Sequence, residues 1–264
     1  MKIFYFTGTG NSLQIARGIG ADGELVSIPR FLREQSEDTA GRIHISADAI
    51  GLVFPTYWLT VPTVVVEFLE RTHLDTDYLF AITTRGNTSL TLKSELLSVV
   101  RKNGRHLSYF NKVNMPDNYI PMFDMVKTKA SYNEDAISKS IERMASDIRS
   151  RKKNVALPVG LALLRPLARH YSVASMKDFS SRFYVNDSCT SCGICSLVCS
   201  AQSIAFADVT PSFGKSCNYC LACAHNCAAN AIHMKPEKNS ERYLNPTVST
   251  ADIIAANSGT KGTV

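Results

Sequence analysis

Lys2-Ile3-Phe4-Tyr5-Phe6-Thr7-Gly8-Thr9-Gly10-Asn11-Ser12 is the stretch on which the fold turns. Its first half is a short apolar run, the signature of a buried strand, and its second half is a glycine-rich loop. Asn11–Gly20 then reads as a helix, with Leu13, Ile15, Ala16 and Ile19 on its apolar face. A strand that hands over to a helix through such a loop makes an anion site. Glycine lets the backbone approach the ligand, and the helix N-terminus offers free N–H donors with a partial positive charge. Hydroxyls at Thr7, Thr9 and Ser12 add donors without a cation. Two neighbouring motifs do not fit. A nucleotide P-loop requires a lysine that this loop lacks, and a dinucleotide fingerprint requires a third glycine where Leu13 stands. The plainer alternative is a glycine turn with Asn11 or Ser12 capping the helix.

Working outward, Glu24–Pro29 and Ala49–Phe54 read as strands, the latter ended by Pro55. Val61–Arg71 reads as a helix, Tyr78–Thr83 as a strand, Leu90–Asn103 as a helix and His106–Val113 as a fifth strand. Asn133–Ser150 closes the region as an amphipathic helix through Ala136, Ile137, Ile141, Met144 and Ile148. Five strands alternating with helices predict an α/β fold, a doubly wound five-stranded parallel sheet covered on both faces, over residues 1–150.

The bulk numbers are those of a globular protein: 264 residues, 45% hydrophobic and 20% charged, with a net charge of +6. The N-terminus has too short an apolar run for a signal peptide. The apolar segment Val155–Leu164 falls well short of the roughly 20 residues that span a bilayer. A cytoplasmic, reducing location without membrane insertion is therefore expected, and clustered cysteines there read as metal ligands before disulfides. The basic patch Arg149, Arg151, Lys152 and Lys153 reads as a solvated helix end or a contact for an acidic redox partner. Nucleic acid is disfavoured because no aromatic residues interleave with the patch.

All 8 cysteines lie between Cys189 and Cys227. They form an internal repeat in which an offset of 28 maps Cys189, Cys192, Cys195 and Cys199 onto Cys217, Cys220, Cys223 and Cys227. Ile204 maps onto Ile232 in the same way. Each half reads C-x2-C-x2-C-x3-C, a spacing that suits a [4Fe–4S] cluster. Three thiolates wrap one side of the cube, while the fourth leads away on a helix to the other cluster. The assignment is Cys189, Cys192, Cys195 and Cys227 for one cluster, and Cys217, Cys220, Cys223 and Cys199 for the other. Paired zinc sites would not need the third cysteine of each run. Eight buried thiols would not fall at two identical spacings.

This part of the chain, residues 183–235, resembles the bacterial two-cluster ferredoxins, which implies a small α+β domain. Those ferredoxins place proline after the fourth cysteine, where this chain has Ser200 and Ala228. Proline supplies no ligand, so the departure touches the hydrogen bonds to sulfur and the potentials rather than the coordination. Residues 151–182 read as a partly helical connector. Residues 236–264 read as a polar, mobile tail.

The loop Thr7–Ser12 matches the T-x-T-G-[NQ]-[ST] pattern of flavodoxins, and residues 1–150 resemble that family in strand–helix order. The resemblance implies FMN bound at the strand-order reversal of a flavodoxin-like sheet. It places the flavin ring against the loops after the third and fourth strands. These are Pro55, Thr56, Tyr57, Trp58 and Leu59, then Thr83, Thr84, Arg85, Gly86 and Asn87. Tyr57 and Trp58 are the candidate aromatic contacts. Asn118 and Tyr119, in the proline-stiffened loop Met115–Pro121, are ring or interface candidates. The whole chain resembles the flavodoxin–ferredoxin fusion proteins of anaerobes. That implies a relay of low-potential electrons between FMN, two [4Fe–4S] clusters and external redox proteins. Reduction of an organic substrate and redox sensing are the alternatives. No general-acid pair stands out, and His73, His106 and His225 are isolated in sequence.

Overall fold

The structure is a computed structural model that describes residues 1–35, 41–86, 91–155, 170 and 176–258. All of the apolar segment Val155–Leu164 but its first residue, most of the connector, Asn87 and the last six residues of the tail lie outside the described residues. The chain divides into two compact units. The first contains Met1–Phe6, Ser12–Met115 and Asn133–Ser175, and the second contains Thr7–Asn11, Pro116–Tyr132 and Met176–Val264. The loop Thr7–Asn11 and the segment Pro116–Tyr132, read from sequence as parts of the first domain, thus group with the cysteines.

The first unit is a doubly wound α/β domain. Its strands are β1 (Lys2–Tyr5), β2 (Glu24–Ser27), β4 (Ala49–Pro55), β6 (Tyr78–Arg85) and β7 (Tyr109–Asn114). They form one sheet in the order β2-β1-β4-β6-β7, with every pairing parallel. This is the flavodoxin-like 2-1-3-4-5 order, with its reversal at β1. Ile50, Leu52, Val53, Phe54, Phe80, Ala81 and Ile82 are all buried. Such continuous apolar runs are expected of a parallel sheet covered on both faces. Helices α1 (Asn11–Ile19), α3 (Thr63–Arg71), α4 (Leu92–Lys102) and α6 (Glu134–Arg149) match the sequence reading to within a turn.

Two features differ from that reading. Helix α2 (Ile28–Glu34) starts inside the predicted second strand, because Pro29 fits a first helical turn and cannot donate to a ladder. Strands β3 (Ile43–Ser46) and β5 (Thr72–Asp75) form a separate two-stranded parallel sheet. In it the rings of His44 and His73 stand 4.9 Å apart, and the Arg105 guanidinium reaches His73 Nε2, so His73 is not isolated.

The second unit repeats itself in three dimensions. Strand β8 (Phe183–Val185), helix α7 (Ile194–Leu197) and strand β9 (Ile204–Phe206) form its first half. Strand β10 (Pro211–Phe213), helix α8 (Ala222–His225) and strand β11 (Ile232–Met234) recur 28 residues later. The strands pair across the repeat, β8 with β11 and β9 with β10, both antiparallel. Neither half can complete its ladders alone. The left-handed backbone positions follow the same offset: Ser191 and Tyr219, Gly193 and Leu221, Gln202 and Asn230.

Residues 237–258 are folded and not a loose tail. Tyr243, Asn245, Ile253 and Ile254 are almost completely buried. Helix α9 (Thr250–Asn257) begins in a capping box, where Ser249 Oγ accepts from the Asp252 amide and the Asp252 carboxylate accepts from the Ser249 amide. A second unpredicted helix, α5 (Met125–Ala130), is capped by Asp124, which accepts from the amides of Val126 and Lys127.

Candidate functional site

Thr7–Asn11 leaves the carboxyl end of β1, where the strand order reverses. Thr7 Oγ1 accepts from the Gly10 amide at 3.0 Å, which fixes the turn and leaves the Thr7 hydroxyl proton to donate. Thr9 Oγ1 accepts from Asn118 Nδ2 at 2.5 Å. Asn11 is committed elsewhere: its Oδ1 accepts from Tyr243 Oη at 2.8 Å and Asn245 Nδ2 at 3.0 Å, and its Nδ2 donates to the Pro116 carbonyl at 3.2 Å. The Asn11 side chain therefore shapes the loop and has little capacity left for a ligand.

The glycines have a reason that sequence could not supply. A Cβ on Gly8 would lie 2.3 Å from the Cys220 carbonyl oxygen. At Gly10, whose φ is +96°, it would lie 2.8 Å from Val248 Cβ and 2.9 Å from Asn245 Cβ. Both residues turn their Cα toward protein, and substitution at either would force backbone or packed side chains apart. Asn118 is held in turn by His225. The Tyr243 amide donates to His225 Nδ1 at 3.0 Å, so Nε2 carries the proton and donates to the Asn118 carbonyl at 2.8 Å. Burial pulls the His225 pKa down to about 4, which keeps the ring neutral. Tyr119 sits in an aromatic cluster, stacked on Phe179 at 6.5 Å, and its hydroxyl accepts from Arg182 at 3.1 Å.

In the first unit, Ser12 and Thr84 share a hydroxyl–hydroxyl hydrogen bond at 3.1 Å, and Thr56 and Thr83 share one at 3.0 Å. The Thr56 amide donates to the Thr84 carbonyl at 2.8 Å, extending the β4–β6 ladder past Pro55. Tyr57–Thr60 is then a tight turn closed by reciprocal backbone hydrogen bonds of 3.3 and 2.9 Å. Its two central residues, Trp58 and Leu59, have φ of 43° and 66°. Positive φ at both centres is the type I′ geometry, unusual for two bulky side chains. It is held from below: Thr91 Oγ1 donates to the Leu59 carbonyl at 3.0 Å, and the Val61 amide donates to Glu95 Oε2 at 2.9 Å. Trp58 is only half-buried, and Tyr57 packs edge-on against it at 6.1 Å and against Phe6 at 5.9 Å. Arg85 Nε donates to Asn114 Oδ1 at 3.0 Å. Thr91 and Glu95 carry no motif, and sequence reading missed them.

Electrostatic neighbours among the thiols cross the repeat, Cys227 acting on Cys195 and Cys199 on Cys217, Cys220 and Cys223. Burial pushes the Cys195 thiol up to about 11, and the neighbouring sulfurs of Cys192, Cys227 and Cys189 push it in the same direction. Cys217 rises to about 12, again mainly through burial, with the neighbouring Cys220 and Cys199 sulfurs pushing the same way. Cys223 rises for the same reason, beside Cys220, Cys217 and Cys199, with Cys195 contributing least. Amides already point at the sulfurs. Ser203 donates to Cys199 Sγ and Ala231 to Cys227 Sγ, each at 3.3 Å and 28 residues apart, and Tyr219 donates to Cys217 Sγ at 3.3 Å.

Among the described residues, no group of three or more His, Cys, Asp or Glu side chains is gathered as the shell of a single metal ion. Four sulfurs bonded to one zinc at about 2.3 Å would stand about 3.8 Å apart. A four-iron cube carries its thiolates on separate irons and holds them farther apart. The amides directed at Cys199, Cys217 and Cys227 are donors of the kind that thiolate ligands accept.

No family model matches the chain, and no curated protein matches it. Among solved structures, it is similar to a Bacteroides uniformis protein described as a flavoprotein, at 15% identity and a TM-score of 0.33, covering 53% of this chain and 96% of the other. It is similar to the Trp repressor binding protein of Bacillus subtilis at 12% identity and a TM-score of 0.38, covering 58% and 100%. It is also similar to an NAD(P)H:quinone oxidoreductase of Methanothermobacter marburgensis at 12% identity and a TM-score of 0.36, covering 59% and 96%. The flavodoxin-like assignment rests on the strand order within this chain. No helix among the described residues is long and apolar enough to cross a membrane.

Proposed function

We propose that the protein carries electrons between external redox partners through two [4Fe–4S] clusters and a bound FMN. The observation that carries this reading is the crossed grouping of the eight cysteines. Cys227 is an electrostatic neighbour of Cys195, and Cys199 of Cys217, Cys220 and Cys223, which supports completing each group of three with the fourth cysteine of the other half. Strand pairings and left-handed residues obey the same 28-residue relation. A bacterial-type two-cluster site requires both crossings.

FMN is supported by the doubly wound sheet and by the hydroxyl-rich loop at its reversal point. Thr7, Gly8, Thr9 and Ser12 would hold the phosphate through backbone amides and hydroxyls, with the Gly10 amide kept for the Thr7 hydroxyl that fixes the turn. Thr56, Tyr57, Trp58 and the backbone of Thr84–Gly86 would hold the ring. A flavin exchanges one or two electrons, whereas each cluster passes one. The chain's own part is to fix the phosphate, stack the ring and shield the sulfurs with amides.

The test is anaerobic purification followed by iron, sulfide and flavin analysis and a reductive titration read by visible and EPR spectra. About eight irons and eight sulfides, with heat-released FMN, are expected. Two zincs and no iron, or a flavin released as FAD, would overturn the reading.

A further inference from the structure

The repeat breaks its own symmetry at one buried atom. Ser200 follows the last cysteine of the first half and is 1% exposed, whereas its image Ala228 is exposed and has no hydroxyl. Asn218 Nδ2 donates to Ser200 Oγ at 3.1 Å, so the serine oxygen is used as an acceptor. Ser200 Oγ lies 3.6 Å from Cys220 Sγ, within hydrogen-bond reach, and a ligating thiolate there can only accept from the hydroxyl. Cys192, the image of Cys220, is exposed, while Cys220 is shielded and has Gly8 of the Thr7–Asn11 loop packed against its carbonyl.

A hydrogen bond to a ligating sulfur withdraws electron density and favours the more negatively charged, reduced cluster. We propose that Ser200 tunes the cluster of Cys217, Cys220, Cys223 and Cys199, raising its reduction potential above that of the cluster of Cys189, Cys192, Cys195 and Cys227. An electron that arrives at the exposed Cys192 side then moves downhill to the cluster beside the Thr7–Asn11 loop. Ser200 ligates nothing and acts through Cys220, so it is a positioning residue. The inference rests on the iron–sulfur reading above.

The experiment is an EPR-monitored redox titration of the anaerobically purified protein, poised with dithionite and mediators, for wild type, Ser200→Ala and Ser200→Thr. Each cluster takes one electron from the poising reductant. Ser200→Ala should reduce the equilibrium population of one reduced cluster about tenfold at fixed potential, a downward shift of about 59 mV for a one-electron couple. The other cluster should hold its potential, and Ser200→Thr, which keeps the hydroxyl, should restore the wild-type value. Equal movement of both clusters, no movement of either, or a Thr variant that behaves like Ala would overturn the assignment. Wild-type protein without cluster signals would instead overturn the iron–sulfur reading.

Discussion

The phenol of Tyr243 donates to the side-chain oxygen of Asn11 at 2.8 Å, joining residues 232 positions apart. Asn245 donates to the same oxygen, and its own amide donates to the Thr9 carbonyl at 2.8 Å. The loop after β1 is therefore built from both ends of the sequence. Tyr243→Phe should remove one buried hydrogen bond worth about 1 kcal/mol and lower the thermal midpoint by about 2–4 °C. Asn11→Asp should cost more, because a carboxylate would face the Pro116 carbonyl that Nδ2 now contacts. Calorimetry that finds both variants indistinguishable from wild type would refute this role for the C-terminal segment.

Trp58 is the only tryptophan, so intrinsic fluorescence reports its turn directly. Glu95, 6% exposed, holds that turn through the Val61 amide. Glu95→Ala leaves this amide without its acceptor, at a cost of about 1–3 kcal/mol, and should shift Trp58 emission to the red. Glu95→Gln keeps an acceptor oxygen and should leave emission close to wild type. An unchanged spectrum in the alanine variant would show that Thr91 alone holds the turn.

If Thr9 and Ser12 donate to a flavin phosphate, their replacement by alanine removes charge-assisted hydrogen bonds of roughly 1.5–3 kcal/mol each. FMN affinity, followed by quenching of flavin fluorescence, should fall by at least tenfold in either variant. Riboflavin, which lacks the phosphate, should bind wild type and variants alike. Equal loss for both ligands would place these hydroxyls away from the phosphate.

The parallel sheet was legible because β1, β4 and β6 each hold a continuous apolar run and are separated by helices of clear period. The 28-residue repeat of the second unit was legible because the cysteine spacing that marks it is a local code. What escaped notice was held by tertiary contacts. Helix α2 hid behind Pro29, which ends a ladder as readily as it opens a helix. Residues 237–258 looked polar because their few apolar side chains, Tyr243, Val248, Ile253 and Ile254, are spread among Asn, Ser and Thr. Their burial depends on partners far away in sequence. Gly8 and Gly10 were read as room for a ligand, yet their Cα atoms face Cys220 and the Asn245–Val248 segment.

If the proposed iron–sulfur reading holds, crossed ligation makes the sharpest demand on the cysteines. Cys199 is four residues from Cys195, but its sulfur neighbours Cys217, Cys220 and Cys223. Cys199→Ala should therefore convert or destroy the cluster of the second half and spare the one that Cys227 completes. Because β8 pairs with β11 and β9 with β10, the second unit should remain assembled around the surviving cluster. The expected measurement is a [3Fe–4S] EPR signal or loss of about half the iron, with the remaining [4Fe–4S] signal abolished only when Cys192 is also replaced. Should Cys199→Ala instead remove the cluster of Cys189, Cys192 and Cys195, ligation is local to each half. The Ser200–Cys220 hydrogen bond would then tune a cluster of different composition.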